Sequence, residues 1–244
     1  MRTALTIAGS DPTGGAGIQA DLRTFAAFSV SGVSAITAIT AQNAEGVRDI
    51  FALAPKLVAA QIDAVLEDRA VDAVKIGMLA NAAILGVVAE AIERHQFRNV
   101  VLDPVIRATA GGQLLEAAAI DSLRTRLFPL VAVVTPNLHE LRVLSGIAAR
   151  DVPELRKAAA RLVDLGARAV VAKGGHLPGA PVDVVYDGRT FIELTGERIA
   201  AGRTHGTGCM FSSALAARLA LGDTLADAAR AAKAHVFDMI TRQT

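Results

Sequence analysis

Short runs of β-branched and small apolar residues alternate along this chain with longer segments whose apolar positions recur every three or four residues. The short runs predict strands at Ala4–Ala8, Val33–Ala41, Ala73–Ile76, Val100–Asp103, Ala132–Thr135 and Ala169–Lys173. The longer period predicts helices at Ile18–Phe28, Pro55–Glu67, Ala82–His95, Glu116–Leu127 and Val152–Leu165. Pro55 and Pro153 fall in first helical turns, where a missing N–H has no partner to lose. Alternation repeated this often predicts an α/β fold, a single domain over residues 1–244 with a largely parallel central sheet flanked by helices. The rhythm breaks at Val182–Tyr186 and Thr190–Leu194, which read as a short β hairpin turning through Asp187-Gly188 and covering the site. Two helices, Met210–Leu219 and Leu225–Ile240, close the pattern.

Composition sharpens this picture. Apolar residues make up 52% of the chain and aromatics only 4%, so the core is built from Ala, Val, Leu and Ile, which suits helices laid on a parallel sheet. A net charge of +1, from 25 basic and 24 acidic residues, gives no basic footprint for nucleic acid and no charged patch for a membrane surface. No apolar run reaches the ~18 residues of a membrane span, and Met1–Thr3 leads directly into a strand rather than a signal segment. Cys209 is the sole cysteine, so no intrachain disulfide forms, and a reducing, cytoplasmic location is expected. The five histidines lack metal-ligand spacing.

Polar or glycine-rich residues follow six of the strands: Gly9–Gly17, Gln42-Asn43, Gly77-Met78, Asp103-Pro104, Asn137 to Glu140 and Lys173–His176. In doubly wound folds ligands sit outside those carboxyl ends. Gly15-x-Gly17-x-x-Ala20 formally matches a dinucleotide fingerprint, but the turn before it is too long and no acidic residue ends the second strand. No Walker A pattern occurs, which excludes a P-loop kinase. Thr204-His205-Gly206-Thr207-Gly208-Cys209 opens a helix, and free first-turn N–H groups suit a developing phosphoryl charge. At a helix start the Cys209 thiol is expected to have a depressed pKa. The plainer readings are Met78 as core filler, Asp11 and Asp21 as turn or surface carboxylates, and Lys75 as a side chain reaching past its strand into solvent.

Taken together, Leu-Thr-Ile-Ala-Gly-Ser-Asp at 5–11, Gly-Gly-Ala-Gly-Ile-Gln-Ala-Asp-Leu at 14–22, Thr-Ala-Gln-Asn at 40–43, Lys-Ile-Gly-Met-Leu at 75–79, Lys-Gly-Gly-His at 173–176 and Gly-Thr-Gly-Cys at 206–209 resemble the hydroxymethylpyrimidine/phosphomethylpyrimidine kinases. These are ribokinase-like enzymes of thiamine biosynthesis. The resemblance implies ATP-dependent phosphorylation of 4-amino-5-hydroxymethyl-2-methylpyrimidine and then of its monophosphate, with Mg²⁺, in a homodimer. It implies that Asp21, Gln42, Met78, Gly9 and Val105 bind the pyrimidine. Lys173, Thr204, Thr207 and Asn137 fall to the nucleotide, Glu140 to the metal, and Cys209 with Gly206 and Gly208 to catalysis. His139 and Ile106-Arg107 depart from the family pattern, and the glycine-proline tail of many members is not seen. The substrate range and the second transfer therefore stay open, as do two rivals, a pyridoxine/pyridoxal kinase and a catalytically silent pyrimidine-binding regulator.

Overall fold

The computed structural model describes residues 1–43, 45–108, 111–199 and 206–242. One nine-stranded sheet organises them. In chain order its strands are β1 (Thr3–Ser10), β2 (Ser31–Asn43), β3 (Gly46–Ala52), β4 (Ala73–Ile76), β5 (Val100–Leu102), β6 (Val133–Val134), β7 (Val170–Ala172), β8 (Val182–Tyr186) and β9 (Phe191–Thr195). Across the sheet they run β3-β2-β1-β4-β5-β6-β7-β8-β9. The six central strands are parallel, while β3, β8 and β9 pair antiparallel at the two edges.

Successive residues of a strand face opposite sides of a sheet, and the burial follows that rule. Leu5, Ile7, Val74, Ile76, Leu102, Val134 and Val170 belong to one apolar cluster, and Ala4, Ala73, Val101, Val133 and Val171 to another. The first cluster is completed by α2 (Pro55–Asp68), α3 (Ala82–His95), α5 (Leu138–Ser145) and α6 (Val152–Asp164). The second is completed by α1 (Gly17–Ala27), α7 (Thr207–Leu221) and α8 (Leu225–Thr241). Helix starts follow their sequence signals. Asn81, Asp151 and Thr224 accept from the backbone N–H of Ile84, Glu154 and Asp227 through their side chains. Among the described residues, no helix is long and apolar enough to cross a membrane.

The structure corrects the sequence reading in four places. The hairpin β8–β9 does not cover the site; it continues the sheet beyond β7, and none of its residues lines the pocket. The ribbon that does reach the pocket is β2–β3, whose tip carries Gln42 paired with Val47. The periodic stretch 116–127 holds only a short helix, α4 (Ala119–Ser122), which passes into a π-helical turn at Leu123–Leu127. A further helix, α5, starts at the Asn137 motif and was not expected.

β1 lies between β2 and β4, so successive connections leave it in opposite directions. A sheet opens a crevice at such a switch point.

Candidate active site

The crevice at the carboxyl ends of β1 and β4 is the floor of a pocket with an empty volume of about 750 Å³. Gly9, Gln42, Met78 and Val105 line one part of it, and Asn137, Glu140, Lys173, Gly206, Gly208 and Cys209 line the other. Ten of the residues singled out from the sequence thus converge although they come from seven different segments of the chain. Thr207 begins α7 without lining the pocket, and Thr204 lies outside the described residues.

Gly9 and Met78 set the floor. A Cβ at position 9 would stand 2.9 Å from the Met78 sulfur, so glycine lets the methionine lie flat across the end of β1. Met78 is nevertheless also core, only 7% exposed, so both readings of it hold. Beside them, Asp11 folds its carboxylate back on the loop, accepting from the N–H groups of Thr13 and Ala16 at 2.8 Å each. Burial alone would raise its pKa, but a hydrogen bond from the Gln42 side chain and those from Thr13 and Ala16 hold it below the ordinary carboxylate value. Since a carboxylate only accepts, Gln42 meets it with its amide N–H and keeps its carbonyl oxygen available. Gln19 braces the same loop, accepting from the Asp11 N–H and donating to Ser10.

Asp21 is not in the pocket. It is 0% exposed, and both carboxylate oxygens are taken: Lys75 Nζ donates to them at 2.8 and 3.0 Å, Thr6 Oγ1 at 2.6 Å and Ser213 Oγ at 2.7 Å. No oxygen is left for a pyrimidine, so the structure does not support the direct binding role expected of Asp21, whose carboxylate is committed to Lys75, Thr6 and Ser213. Lys75 in turn does not reach solvent. It too is 0% exposed and forms part of the pocket wall. Burial would lower its pKa, but the charges of Asp21 and Asp103 and the bond to Asp21 raise it, so it stays an ammonium. A lysine inside a four-residue strand that parallel neighbours bury on both faces has to be paired, and that was a signal in Ala-Val-Lys-Ile.

Asp103 is the other residue that sequence reasoning under-used. It directly follows β5, receives Lys173 Nζ at 3.0 Å and is 2% exposed. Lys173 is held charged against burial by Asp103 and Glu140. Glu140 and Asn137 form a reciprocal capping box at the start of α5. The Asn137 side chain accepts from the Glu140 N–H at 3.0 Å, and the Glu140 carboxylate accepts from the Asn137 N–H at 2.8 Å. Burial, opposed by the charge of Lys173 and reinforced by Asp103, pushes the Glu140 pKa up to about 8.

α7 points its start at this cluster. Its N-cap, Gly206, has φ +80° and no side chain, and a Cβ there would overlap the Gly15 carbonyl. Glycine is therefore required both by the left-handed backbone and by the neighbouring loop. A Cβ on Gly208 would stand 3.3 Å from Lys173 Nζ, which places the first turn of α7 against the lysine. The backbone N–H groups of a first helical turn set beside a lysine suit an anion. Cys209 lies in that turn, but its thiol is not depressed as the helix position suggested. Burial pushes it up to about 11, with Asp103 and Asp21 adding to the effect and Lys75 and the Gly17 N–H opposing it.

The chain as a whole is similar to known proteins. The hydroxymethylpyrimidine/phosphomethylpyrimidine kinase of Rhizobium meliloti is 47% identical over 240 residues, covering 98% of this chain and 90% of the relative. The thiamine biosynthesis bifunctional protein ThiED of Geobacter sulfurreducens is 46% identical over 95% of this chain, which spans only 48% of that longer protein. Among solved structures, the pyridoxal kinase of Staphylococcus aureus in complex with AMP-PCP and pyridoxal superposes with a TM-score of 0.90. It is 34% identical, with 98% of this chain and 88% of that chain covered. The family model for phosphomethylpyrimidine kinase matches residues 11–244, nearly the whole chain, and with relatives at this identity and coverage the chain belongs to the phosphomethylpyrimidine kinase family.

Proposed function

We propose that this kinase transfers the γ-phosphoryl group of ATP to the hydroxymethyl group of 4-amino-5-hydroxymethyl-2-methylpyrimidine and then to the resulting monophosphate. The observation that carries the reading is one pocket with an apolar, hydrogen-bonding end at Gly9, Gln42, Met78 and Val105 and an anion-binding end at Lys173 and the start of α7. With its amide N–H directed at Asp11, Gln42 presents a carbonyl that accepts from the ring's amino group. Met78 packs on the ring face.

At the other end, the N–H groups of Gly206–Cys209 and the Lys173 ammonium hold the transferring phosphoryl group. Such transfer is loose, so positioning and charge stabilisation account for most of its catalysis. Cys209, a neutral thiol at pH 7, positions the acceptor oxygen rather than taking its proton. The buried Lys75–Asp21 pair fixes a positive charge beneath that thiol.

Asp103 and Glu140 present hard oxygen donors beside Lys173, which suits Mg²⁺. Mg²⁺ takes few carboxylates and keeps several waters, so two oxygen donors beside the nucleotide phosphates would be enough to hold it. When bound, the ion neutralises charge on the phosphates.

An ADP-release assay with the pyrimidine alcohol, its monophosphate and pyridoxal as alternative acceptors tests the reading. The highest kcat/KM is expected for a pyrimidine. A preference for pyridoxal, or no acceptor-dependent release at all, overturns it.

A further inference from the structure

Among the described residues, three cationic side chains line the pocket: Lys75, Lys173 and Arg107. Asp21 pairs with Lys75 at 2.8 Å and Asp103 with Lys173 at 3.0 Å. Arg107 is different. It is exposed, and among the described residues no carboxylate pairs with its guanidinium. It is therefore the one pocket-lining cation there whose charge is not already matched by an acidic partner.

Its backbone, by contrast, is fixed. Arg107 pairs with Gln113 in an antiparallel bridge, the Ala108 N–H donates to the Gly112 carbonyl at 3.0 Å, and the Leu114 N–H donates to the Ile106 carbonyl at 2.9 Å. The Ile106 N–H is donated to the Glu140 carboxylate, which ties the root of the turn to the phosphoryl end of the pocket. On its other side the turn leans on the β2–β3 ribbon, where a Cβ at Gly112 would stand 3.6 Å from the Val47 side chain. Val47 is the cross-strand partner of Gln42. Arg107 is thus mounted between the ring-reading end and the phosphoryl-transfer end, on a hydrogen-bonded backbone and with a fork that, among the described residues, no carboxylate holds.

An exposed arginine on a turn is most often only solvated. Here the two acceptors of the proposed reaction differ by one phosphate group, and that group must enter a wall whose other described cations, Lys75 and Lys173, are already paired. In the second transfer an oxygen of the acceptor phosphate attacks the γ-phosphorus of ATP. A new P–O–P bond forms, the bond from the γ-phosphorus to the β,γ-bridging oxygen breaks, and ADP leaves with that electron pair. Two anionic groups have to approach each other, and a guanidinium offers parallel N–H donors that match phosphate oxygens.

We propose that Arg107 pairs with the phosphate of the monophosphorylated pyrimidine and so sets the preference for that acceptor over the alcohol. The proposal rests on the pyrimidine kinase reading above. The test is kcat/KM for both acceptors at saturating ATP in wild type, Arg107→Met and Arg107→Lys, with KM for ATP measured against each acceptor. Taking the ratio of the two acceptor values cancels any loss of folded enzyme. In Arg107→Met the monophosphate-to-alcohol ratio should fall by ~10–100-fold, the scale of a lost charge-assisted hydrogen bond, and Arg107→Lys should recover part of it. A ratio within about twofold of wild type, set well inside that scale, overturns the proposal. So does a rise in KM for ATP that is equal with both acceptors, which would assign the guanidinium to the nucleotide. If wild type uses neither pyrimidine, the functional reading itself has failed, and that outcome is visible before any variant is compared.

Discussion

The pair Lys75–Asp21 gives the sharpest energetic prediction. Asp21→Asn is nearly isosteric but removes the only side-chain anion, among the described residues, hydrogen-bonded to a lysine that is 0% exposed. The new amide also turns an NH₂ toward Lys75 Nζ, Thr6 Oγ1 or Ser213 Oγ, all of which donate to Asp21 in the folded chain. Breaking a buried pair from one side costs about 3–5 kcal/mol, a large part of the ~5–15 kcal/mol that holds a domain folded. The pH dependence has a definite sign. In wild type the folded Lys75 pKa is raised, so the pair's stabilisation is present below the unfolded lysine value and is lost as pH rises through the folded one. In Asp21→Asn burial acts unopposed by that partner, the folded pKa drops below ~10.4, and stability is recovered as pH climbs toward that value. Urea titrations at pH 7 and pH 9.5 should therefore show a gap between variant and wild type that narrows at the higher pH. Adding Lys75→Met should restore most of the loss, because a buried apolar side chain has no charge to compensate. A variant within about 1 kcal/mol of wild type at pH 7, or a double variant no more stable than Asp21→Asn, would refute the reasoning.

Two further predictions concern the phosphoryl end. With its thiol pushed up to about 11, Cys209 should alkylate slowly at pH 7–8 and faster as pH rises toward that value. Cys209→Ser should accordingly keep transfer within about threefold of wild type, whereas removing a general base costs ~10²–10⁴; a loss in that larger range would reinstate the thiolate. Glu140 has a folded pKa raised to about 8, so its contribution is full below the unfolded carboxyl value of ~4.3 and is lost as pH rises through 8. In metal-free buffer the Tm of wild type relative to Glu140→Gln should decline across that window, and a flat difference would contradict the assignment.

Periodicity carried the parallel strands and most of the helices, because each central strand is rich in small and β-branched residues and each long helix keeps a regular apolar stripe. It did not reveal β3, whose Gly-Val-Arg-Asp-Ile-Phe-Ala carries the charges of an edge strand. Nor did it reveal α5, whose start was read as chemistry before it was read as a helix cap. Asn137 and Glu140 serve as that cap whatever else they bind, so a motif with a strong local structural meaning was first assigned only its distant one. Ten of the site residues that the family resemblance implied line one pocket; Thr207 and Asp21 do not, and Asp21 is the instructive exception. Its neighbours in sequence gave no sign that Lys75, fifty-four positions away, would claim its carboxylate. Buried pairing of that kind is a three-dimensional fact, and only the lysine within an otherwise apolar strand hinted at it.

The central claim is that one site performs both transfers to a pyrimidine. The direct measurement is an endpoint count of ADP formed per pyrimidine alcohol supplied, with ATP and Mg²⁺ in excess and the phosphorylated products resolved by ³¹P NMR. The account predicts a monophosphate that appears and then disappears, ending at two ADP per pyrimidine with a diphosphate ester as sole product. An endpoint of one ADP with the monophosphate persisting, or no release above the acceptor-free control, would contradict it.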